Sequence, residues 1–165
     1  MQVSVHRGDS VCPERQVRLG SALGSFCCKP NLLAPMSYDL MAFNPAAAPR
    51  SRDAFMNWYY SQAEWQEAHS YDDPGNTDSP LRLWLLDFIK EFPPMNGPCA
   101  APDEMIDDPH VTEYSMAKDV VYCCFAWSLA ERAYRKMKDS TAKCGVGFFN
   151  VSADDGEIVF PDLVL

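Results

Sequence analysis

The sequence lacks the short motifs that mark several large classes of enzyme. It contains no G-x-x-x-x-G-K-[ST], G-x-G-x-x-G, G-x-S-x-G or H-E-x-x-H pattern. Each of these patterns holds a phosphate, presents a nucleophile or binds a metal, so an ordinary nucleotide-dependent enzyme is disfavoured. Basic patches are missing as well, which argues against binding to nucleic acid.

Long hydrophobic runs are absent too. No apolar stretch approaches the roughly 20 residues that a membrane-spanning helix needs, and VCPERQVRLG (11–20) interrupts any signal peptide. The seven cysteines include no C-x-x-C spacing, and the adjacent pairs, Cys27-Cys28 and Cys123-Cys124, are poorly placed to ligate zinc. We therefore expect a cytoplasmic protein that contacts no membrane and holds no cofactor.

Acidic residues are what the sequence has in excess. Its 23 acidic and 14 basic residues give a net charge of −9 at pH 7. Twelve of the acids lie between Glu64 and Glu113, where only Arg82 and Lys90 oppose them. Such a charge repels nucleic acid and anionic membranes and attracts a basic protein. The alternative is that the charge serves solubility alone.

The chain divides into a leading segment and one domain. Residues 1–35 show no sustained helical or strand periodicity and contain many Gly, Ser and Pro residues, whereas SYDLMAF (37–43) is typical of a strand. We expect residues 1–35 to be a flexible extension or an artefact of an upstream start codon. Residues 36–165 are expected to form a single domain, because a chain of this length supports one hydrophobic core.

Hydrophobic spacing predicts eight elements in this domain. The clearest is a helix with Ser79 as its N-cap and Pro80 as its first residue. An S-x-x-E pattern, Ser128 to Glu131, predicts a capping box at the start of the last helix, and Asp155-Gly156 predicts a tight hairpin turn. The predicted strands are 37–43, 111–117, 120–127, 146–153 and 157–160, and the predicted helices are 53–68, 80–92 and 128–144.

The predicted order of elements is β, α, α, β, β, α, β, β, an α+β fold. Without one helix and the last strand the order is βαββαβ, the ferredoxin-like arrangement of an antiparallel sheet, here with an extra helix and a C-terminal hairpin strand. That fold places its first and third strands in the middle of the sheet, and VVYCCFAW (120–127) is the most apolar predicted strand. We expect the helices on one face, and a homodimer through the sheet is one way to cover the other.

Four segments carry a resemblance to a known family. They are MSYDLMAFNP (36–45), the W-x6-W-x3-H-x-Y-D-D-P run from Trp58 to Pro74, FPPMNGP (92–98) and VGFFNVSADDGEI (146–158). Over about residues 36–162 the chain resembles a family of small, acidic, uncharacterised bacterial proteins. No activity is established for that family, so the resemblance implies no catalytic residue.

EAHSYDDPGNT (67–77) is the first candidate site. Its candidate residues are His69, Tyr71, Asp72 and Asp73. Imidazole and carboxylate groups ligate zinc, iron or manganese, and they also run acid–base chemistry. The further ligands that a metal needs would come from DEMIDDPH (103–110), through Asp107, Asp108 or His110. The alternative is a polar turn, in which the aspartates bond to backbone N–H groups and the histidine ends a helix.

Two further surfaces are candidates for binding. FPPMNGP is a rigid loop that either presents Met95 and Asn96 to a ligand or simply ends a helix. Tyr59 and Tyr60 are adjacent and cannot share one helical face, so one of them is expected at the surface. Exposed aromatic residues, with Trp65 nearby, beside an acidic surface are typical of a protein-binding patch.

Together these features predict a non-catalytic, acidic protein-interaction domain with a basic protein partner. An immunity-type inhibitor of a basic toxin is the concrete form of this prediction, with Tyr59, Tyr60 or Trp65 as the anchor. The alternative is a small metal-dependent enzyme or small-molecule binder. Its residues would be His69, Asp72, Asp73 and His110.

Overall fold

A computed structural model describes residues 37–165, which form one antiparallel sheet of six strands and three α-helices. The expectation for residues 1–35 falls outside this range. The strands are β1 (Tyr38–Phe43), β2 (Glu113–Met116), β3 (Val120–Phe125), β4 (Gly147–Asn150), β5 (Ile158–Phe160) and β6 (Leu163–Val164). The helices are α1 (Arg52–Gln62), α2 (Ser79–Phe88) and α3 (Ala130–Cys144). The predicted α+β class is confirmed.

The strands pair in the order β2-β3-β1-β4-β5-β6, and each of these pairs is antiparallel. β1 lies between β3 and β4, so that Leu40 faces Cys123 on one side and Asn150 on the other. β1 and β3 are almost continuously buried along their length. Strands with both faces covered need such apolar sequences, which explains the largely apolar composition of these two.

The helices cover both faces of the sheet. On the first face, Leu40 and Ala42 of β1 pack with α2 and α3 in the first core. On the second face, Met41 and Phe43 of β1 pack with α1 in the second core. Side chains alternate along a strand, so these two pairs point to opposite faces. The prediction that the helices lie on one face is wrong, because Phe55 of α1 packs against the ring of Phe43. Pairing of two subunits through the sheet stays a prediction.

Both early helices end sooner than hydrophobic spacing predicts. α1 ends at Gln62 instead of residue 68. α2 ends at Phe88, although Ile89 and Phe92 remain in the core. They do so through a closing turn in which the Phe92 amide donates to the Phe88 carbonyl at 3.3 Å. A single turn keeps apolar side chains on the same side as the helix before it, so periodicity alone overestimates its length.

The last helix begins differently from the prediction and ends as predicted. A 3₁₀ turn, Trp127–Leu129, precedes α3, and no side chain among the described residues caps either element. The predicted Ser128–Glu131 capping box is therefore wrong. Gly145 ends α3 in the left-handed conformation that favours glycine, with φ +67°. Of the helices within residues 37–165, none is both long and apolar enough to cross a bilayer.

The C-terminal hairpin is wider than the sequence predicts. β4 ends at Asn150 and β5 begins at Ile158, so the connection is a longer loop and not a tight Asp155-Gly156 turn. The loop is tied to β1 instead, since the Ser152 amide donates to the Asp39 carbonyl at 3.2 Å. β6, which the sequence does not indicate, then adds a short strand at the sheet edge.

Candidate functional site: an aromatic cleft

A cleft of about 630 Å³ opens on the sheet face that α1 covers. It lies between the C-terminal half of α1, the turn after α1 and the loop from β4 to β5. We call it the aromatic cleft, because its lining includes Tyr59, Tyr60, Trp65, Tyr122 and Phe149. Its volume is in the range of pockets that bind small ligands. The structure thus brings the three predicted anchor residues to one place.

The turn after α1 carries Trp65 back over the sheet. Trp65 is the one non-glycine residue within 37–165 that has a positive φ, +51°, a conformation that bulky side chains rarely adopt. Its ring lies 5.1 Å from that of Tyr71 and 6.3 Å from that of Tyr122, edge to face in both cases. These contacts hold the strained residue in place, so that Trp65 forms a fixed wall of the aromatic cleft.

Tyr59 and Tyr60 differ in exposure. Tyr59 packs edge-on against Phe149, with 5.2 Å between the ring centroids. Tyr60 is 57% exposed, and its ring lies 5.4 Å from that of Tyr59. The prediction that one of these adjacent tyrosines lies at the surface is confirmed. Tyr60 is therefore an aromatic residue of the cleft that an arriving ligand reaches without any change in the core.

Charged side chains flank the aromatic lining. Glu64, in the turn after α1, and Asp154, in the loop from β4 to β5, both line the cleft and are exposed. Arg52 lines it as well, but its guanidinium donates to the Gly156 carbonyl at 3.0 Å and to the Leu165 carbonyl at 3.3 Å. The basic group is thus engaged within the protein, while the two carboxylates face solvent.

The carboxylate of Asp39, which was not among the predicted site residues, lies behind the cleft. The Tyr122 hydroxyl donates to Asp39 Oδ2 at 2.9 Å, and the Asp39 amide donates to Ser152 Oγ at 2.7 Å. Burial raises the pKa of Tyr122, so the phenol keeps its proton for this bond. The other oxygen, Asp39 Oδ1, is buried and accepts no hydrogen bond from the described residues. The one signal in the sequence is a lone acid within the apolar strand SYDLMAF.

Asp39 has an acidic neighbour on the same face of the sheet. Asp39 on β1 and Glu113 on β2 both lie opposite Cys124 of β3, and residues in register across strands share a face. Burial, and then the charge of Asp39, raise the pKa of Glu113. Ionising Glu113 therefore costs more in the folded chain than in the unfolded chain.

We expect Glu113→Gln to stabilise the protein at neutral pH. The pKa of this carboxyl is higher in the folded chain than its ordinary value of 4.5. The free energy of unfolding therefore falls as the pH rises from the ordinary pKa to the folded one. The amide has no charge to bury, so the variant should melt above the wild type at pH 7. The difference should close below about pH 4, where the glutamate is protonated in both states. Thermal unfolding across this range measures it, and a pH-independent difference would show that charge is not the cause.

The EAHSYDDPGNT segment (67–77) covers the outer edge of β2. The Met116 amide donates to the Tyr71 carbonyl at 2.8 Å, and the Lys118 amide donates to the Glu67 carboxylate at 3.2 Å. A bare edge strand would present unpaired backbone groups to other chains. The segment therefore has a structural role that its sequence does not reveal.

The predicted ligands of this segment make local bonds. His69 Nδ1 contacts the Ser70 carbonyl at 2.7 Å, and its Nε2 contacts the Glu67 carboxylate. The Ser70 carbonyl and then the Glu67 carboxylate raise the pKa of His69. Asp73 Oδ1 accepts a hydrogen bond from the Gly75 amide at 2.7 Å and so caps a 3₁₀ turn. These are the bonds of a polar turn.

The DEMIDDPH segment (103–110) also bonds to itself. Both the ring Nδ1 and the amide of His110 lie 2.9 Å from Asp108 Oδ1, and the amide, followed by the ring, lowers the pKa of Asp108. Asp107 is exposed. Within residues 37–165, no group of three or more His, Cys, Asp and Glu side chains is arranged to hold a metal ion.

FPPMNGP (92–98) continues the cover of the β2 edge. The Met95 amide donates to the Thr112 carbonyl and the Thr112 amide donates to the Pro93 carbonyl, both at 2.9 Å. Met95 is 41% exposed and Asn96 is exposed, so both predicted contact residues face solvent. The loop thus both pairs with the sheet and presents two side chains outward.

The two candidate loops touch each other at one glycine. Gly97 has φ +87°, and a β-carbon built on it would lie 2.0 Å from the Asp72 carbonyl oxygen. Only a residue without a side chain permits this approach. The Asn96-Gly97 turn therefore joins FPPMNGP to EAHSYDDPGNT along the edge of the sheet.

Among known proteins, no family model, no curated protein and no solved structure matches this chain. The resemblance over residues 36–162 to small acidic bacterial proteins therefore stays a prediction.

Proposed function

We propose that the protein is a non-catalytic, acidic interaction domain that binds a basic protein. The observation that carries this proposal is that the two basic residues of the acidic segment, residues 64–113, are bound to nearby groups of that segment. Arg82 donates to two backbone carbonyls at 2.5 and 2.8 Å, and Lys90 pairs with Asp87 at 2.9 Å. Neither base neutralises the exposed acids before β2, which are Asp103, Glu104 and Asp107.

Five of the other basic residues lie on α3. This helix carries Arg132, Arg135, Lys136, Lys138 and Lys143. Most of them are paired, Arg132 and Lys136 with Glu91 and Lys138 with Glu157. α3 packs on the first face of the sheet, whereas the aromatic cleft opens on the second. The basic residues of α3 outnumber its two acids, Glu131 and Asp139, so we expect a basic partner to approach a surface other than α3.

Aromatic residues connect the acidic segment to the cleft. The Tyr71 ring lies 4.9 Å from the His69 ring and 5.1 Å from the Trp65 ring. Acidic groups speed the encounter of oppositely charged proteins, whereas buried aromatic side chains supply most of the affinity. This division of roles supports Tyr59, Tyr60 and Trp65 as the anchor, with the acids of residues 64–113 as the steering surface.

The concrete form of the proposal is an immunity-type inhibitor of a basic toxin, such as a nuclease. A nuclease binds the phosphate backbone through basic residues. An acidic protein with an aromatic anchor competes for the same residues. Such an inhibitor acts in the cytoplasm of the producing cell, which is where this proposal places the chain.

For the fold we propose that β1, α2, β2, β3, α3 and β4 form a ferredoxin-like unit. The support is the strand order β2-β3-β1-β4 together with the packing of α2 and α3 in one core. In this description α1 is the extra helix, placed on the second face, and β5 and β6 extend the sheet.

Capture experiments with a charge variant test the proposed function. The variant Asp103→Asn/Glu104→Gln/Asp107→Asn removes exposed acids before β2. We expect it to bind the basic partner about tenfold more slowly than the wild type at about 50 mM salt, because steering is lost, and to differ little at about 500 mM. Immobilised wild type and variant, exposed to extracts of the native host, give the partner and its kinetics.

The control for this experiment lies on α3. Glu131→Gln/Asp139→Asn removes exposed acids of α3, and we expect it to bind as the wild type does. All three proteins should melt at similar temperatures, since these side chains are exposed. The proposal fails if no captured protein binds more weakly at high salt and more slowly to the variant.

A further inference from the structure

We propose that the aromatic cleft receives one cationic side chain of the basic partner, the guanidinium of an arginine or the ammonium of a lysine. The inference rests on the proposed function, and it names the group by which the partner is recognised. It assigns Tyr60 and Trp65 as the rings that contact the cation, and Glu64 and Asp154 as its counter-charges.

The aromatic lining suits an alkyl cation. Rings of Trp and Tyr attract a cation placed over their faces within about 6 Å. The cleft offers Trp65, Tyr59 and the exposed Tyr60 in one lining. Met56 and Phe149 line it too, and such apolar surface suits the methylene stem of a lysine or arginine, whose charged end stays near polar groups.

The charge of the cleft favours the same ligand. Glu64 and Asp154 are exposed and line the cleft from two different segments. Behind the lining, Asp39 Oδ2 accepts a hydrogen bond from the Tyr122 hydroxyl, while Asp39 Oδ1 is buried without a hydrogen bond from the described residues. A buried carboxylate that is incompletely satisfied is costly. A cation in the cleft would lower that cost through space.

Arg52 is the feature of the cleft that opposes a cation. Its guanidinium donates to the Gly156 and Leu165 carbonyls, which hold it against the C-terminal part of the chain and use two of its N–H donors. An anion would meet Glu64 and Asp154, whereas a neutral ligand would leave the charge of Asp39 unopposed. Of the three ligand types, the cation is the one that the charge distribution supports.

Small model cations test the inference on the full chain. The ligands are n-butylguanidinium and n-butylammonium, with n-butanol as the neutral ligand of matched stem. Titrations are followed by backbone and indole N–H shifts in NMR spectra. We expect both cations to shift the signals of Tyr60, Glu64 and Trp65 and to bind at least about tenfold more tightly than n-butanol.

Substitutions in the cleft measure the contribution of the Tyr60 ring to cation binding separately from that of the carboxylates. Tyr60→Leu keeps an apolar side chain but removes the ring, so cation binding should weaken about three- to tenfold while n-butanol binding stays the same. Glu64→Gln/Asp154→Asn should weaken cation binding about fivefold. Asp155→Asn is the matched control, because Asp155 is exposed beside Asp154 but does not line the cleft. It should bind as the wild type does.

The outcomes distinguish this inference from the proposed function. Equal binding of n-butanol and the cations, or no binding of either, overturns the inference. Suppose that a basic protein is captured with the expected salt dependence but binds Tyr60→Leu and Glu64→Gln/Asp154→Asn as tightly as it binds the wild type. The proposed function then stands and the inference fails. If the cations bind as expected but no basic protein is captured, the occupant is a free organic cation, and the proposed function fails together with the partner half of the inference.

Discussion

Replacing Gly97 with alanine is expected to lower the free energy of unfolding by about 3 kcal/mol or more. Gly97 has φ +87°, and a β-carbon there would lie 2.0 Å from the Asp72 carbonyl oxygen. The left-handed backbone alone costs an L-residue about 1–2 kcal/mol. The contact adds to this cost, because the obstructing atom belongs to the backbone and cannot rotate away. Segments 67–77 and 92–98 would have to separate, and the cover of the β2 edge would loosen with them.

Gly145→Ala is the matched control for this prediction. Gly145 has φ +67°, but nothing lies within 4 Å of the place that its β-carbon would take. Alanine there should therefore cost about 1 kcal/mol, the backbone contribution alone. Urea unfolding of the wild type and both variants measures the two losses. Equal losses would mean that the close approach of the two loops at Gly97 does not limit stability.

The sheet could be predicted from the sequence more fully than the placement of the helices. β1 and β3 have nearly continuous apolar sequences, and such sequences indicate strands that are buried on both faces. The spacing of apolar residues on α1 does not say which face this helix covers. That choice depends on whether Phe55 meets Phe43 or Leu40, two residues on opposite faces of β1. It is decided by packing between distant segments, which local periodicity does not encode.

The end of α1 shows a related limit. Trp65 continues the apolar spacing of the helix, and it therefore predicts a helix to residue 68. In the structure its φ is +51°, held by ring contacts with Tyr71 and Tyr122. Tyr122 lies on β3, far along the chain. Only tertiary contacts of this kind make the positive φ of a tryptophan tolerable, so the turn has no local signature.

The candidate site residues also differ in how far the sequence could predict their roles. The crowding of aromatic residues around Tyr59, Tyr60 and Trp65 is visible in the sequence, and the structure places these residues in one cleft. The His and Asp residues of EAHSYDDPGNT belong to residue types that ligate metals and also stabilise turns. Their sequence therefore does not distinguish the two roles. In the structure Asp73 has the turn role, because its Oδ1 accepts a hydrogen bond from the Gly75 amide. Asp39 was not predicted, since its partner Tyr122 is 83 positions away in the chain.

Phe55→Ala is expected to cost about 3–5 kcal/mol and to release α1 from the sheet. Phe55 is the buried side chain of α1, and its ring lies 5.0 Å from that of Phe43 and 5.3 Å from that of Phe149. An isolated helix of 11 residues is marginal in water, so α1 should unfold once this anchor is removed. Tyr59 and Tyr60 would leave the aromatic cleft with the helix, and binding of n-butylguanidinium should be lost.

Phe88→Ala makes the same change in the first core. Phe88 is buried on α2 and stacks on Trp84 at 5.0 Å, so the total loss of stability should be similar. Amide hydrogen exchange distinguishes the two variants. Phe55→Ala should speed exchange in residues 52–62 more than in the rest of the domain, whereas Phe88→Ala should not. Unchanged protection of α1 in the Phe55→Ala variant would contradict the packing of this helix on the second face. Because both substitutions remove the same atoms, a difference between them reports which core each helix stabilises and not how much apolar surface was lost.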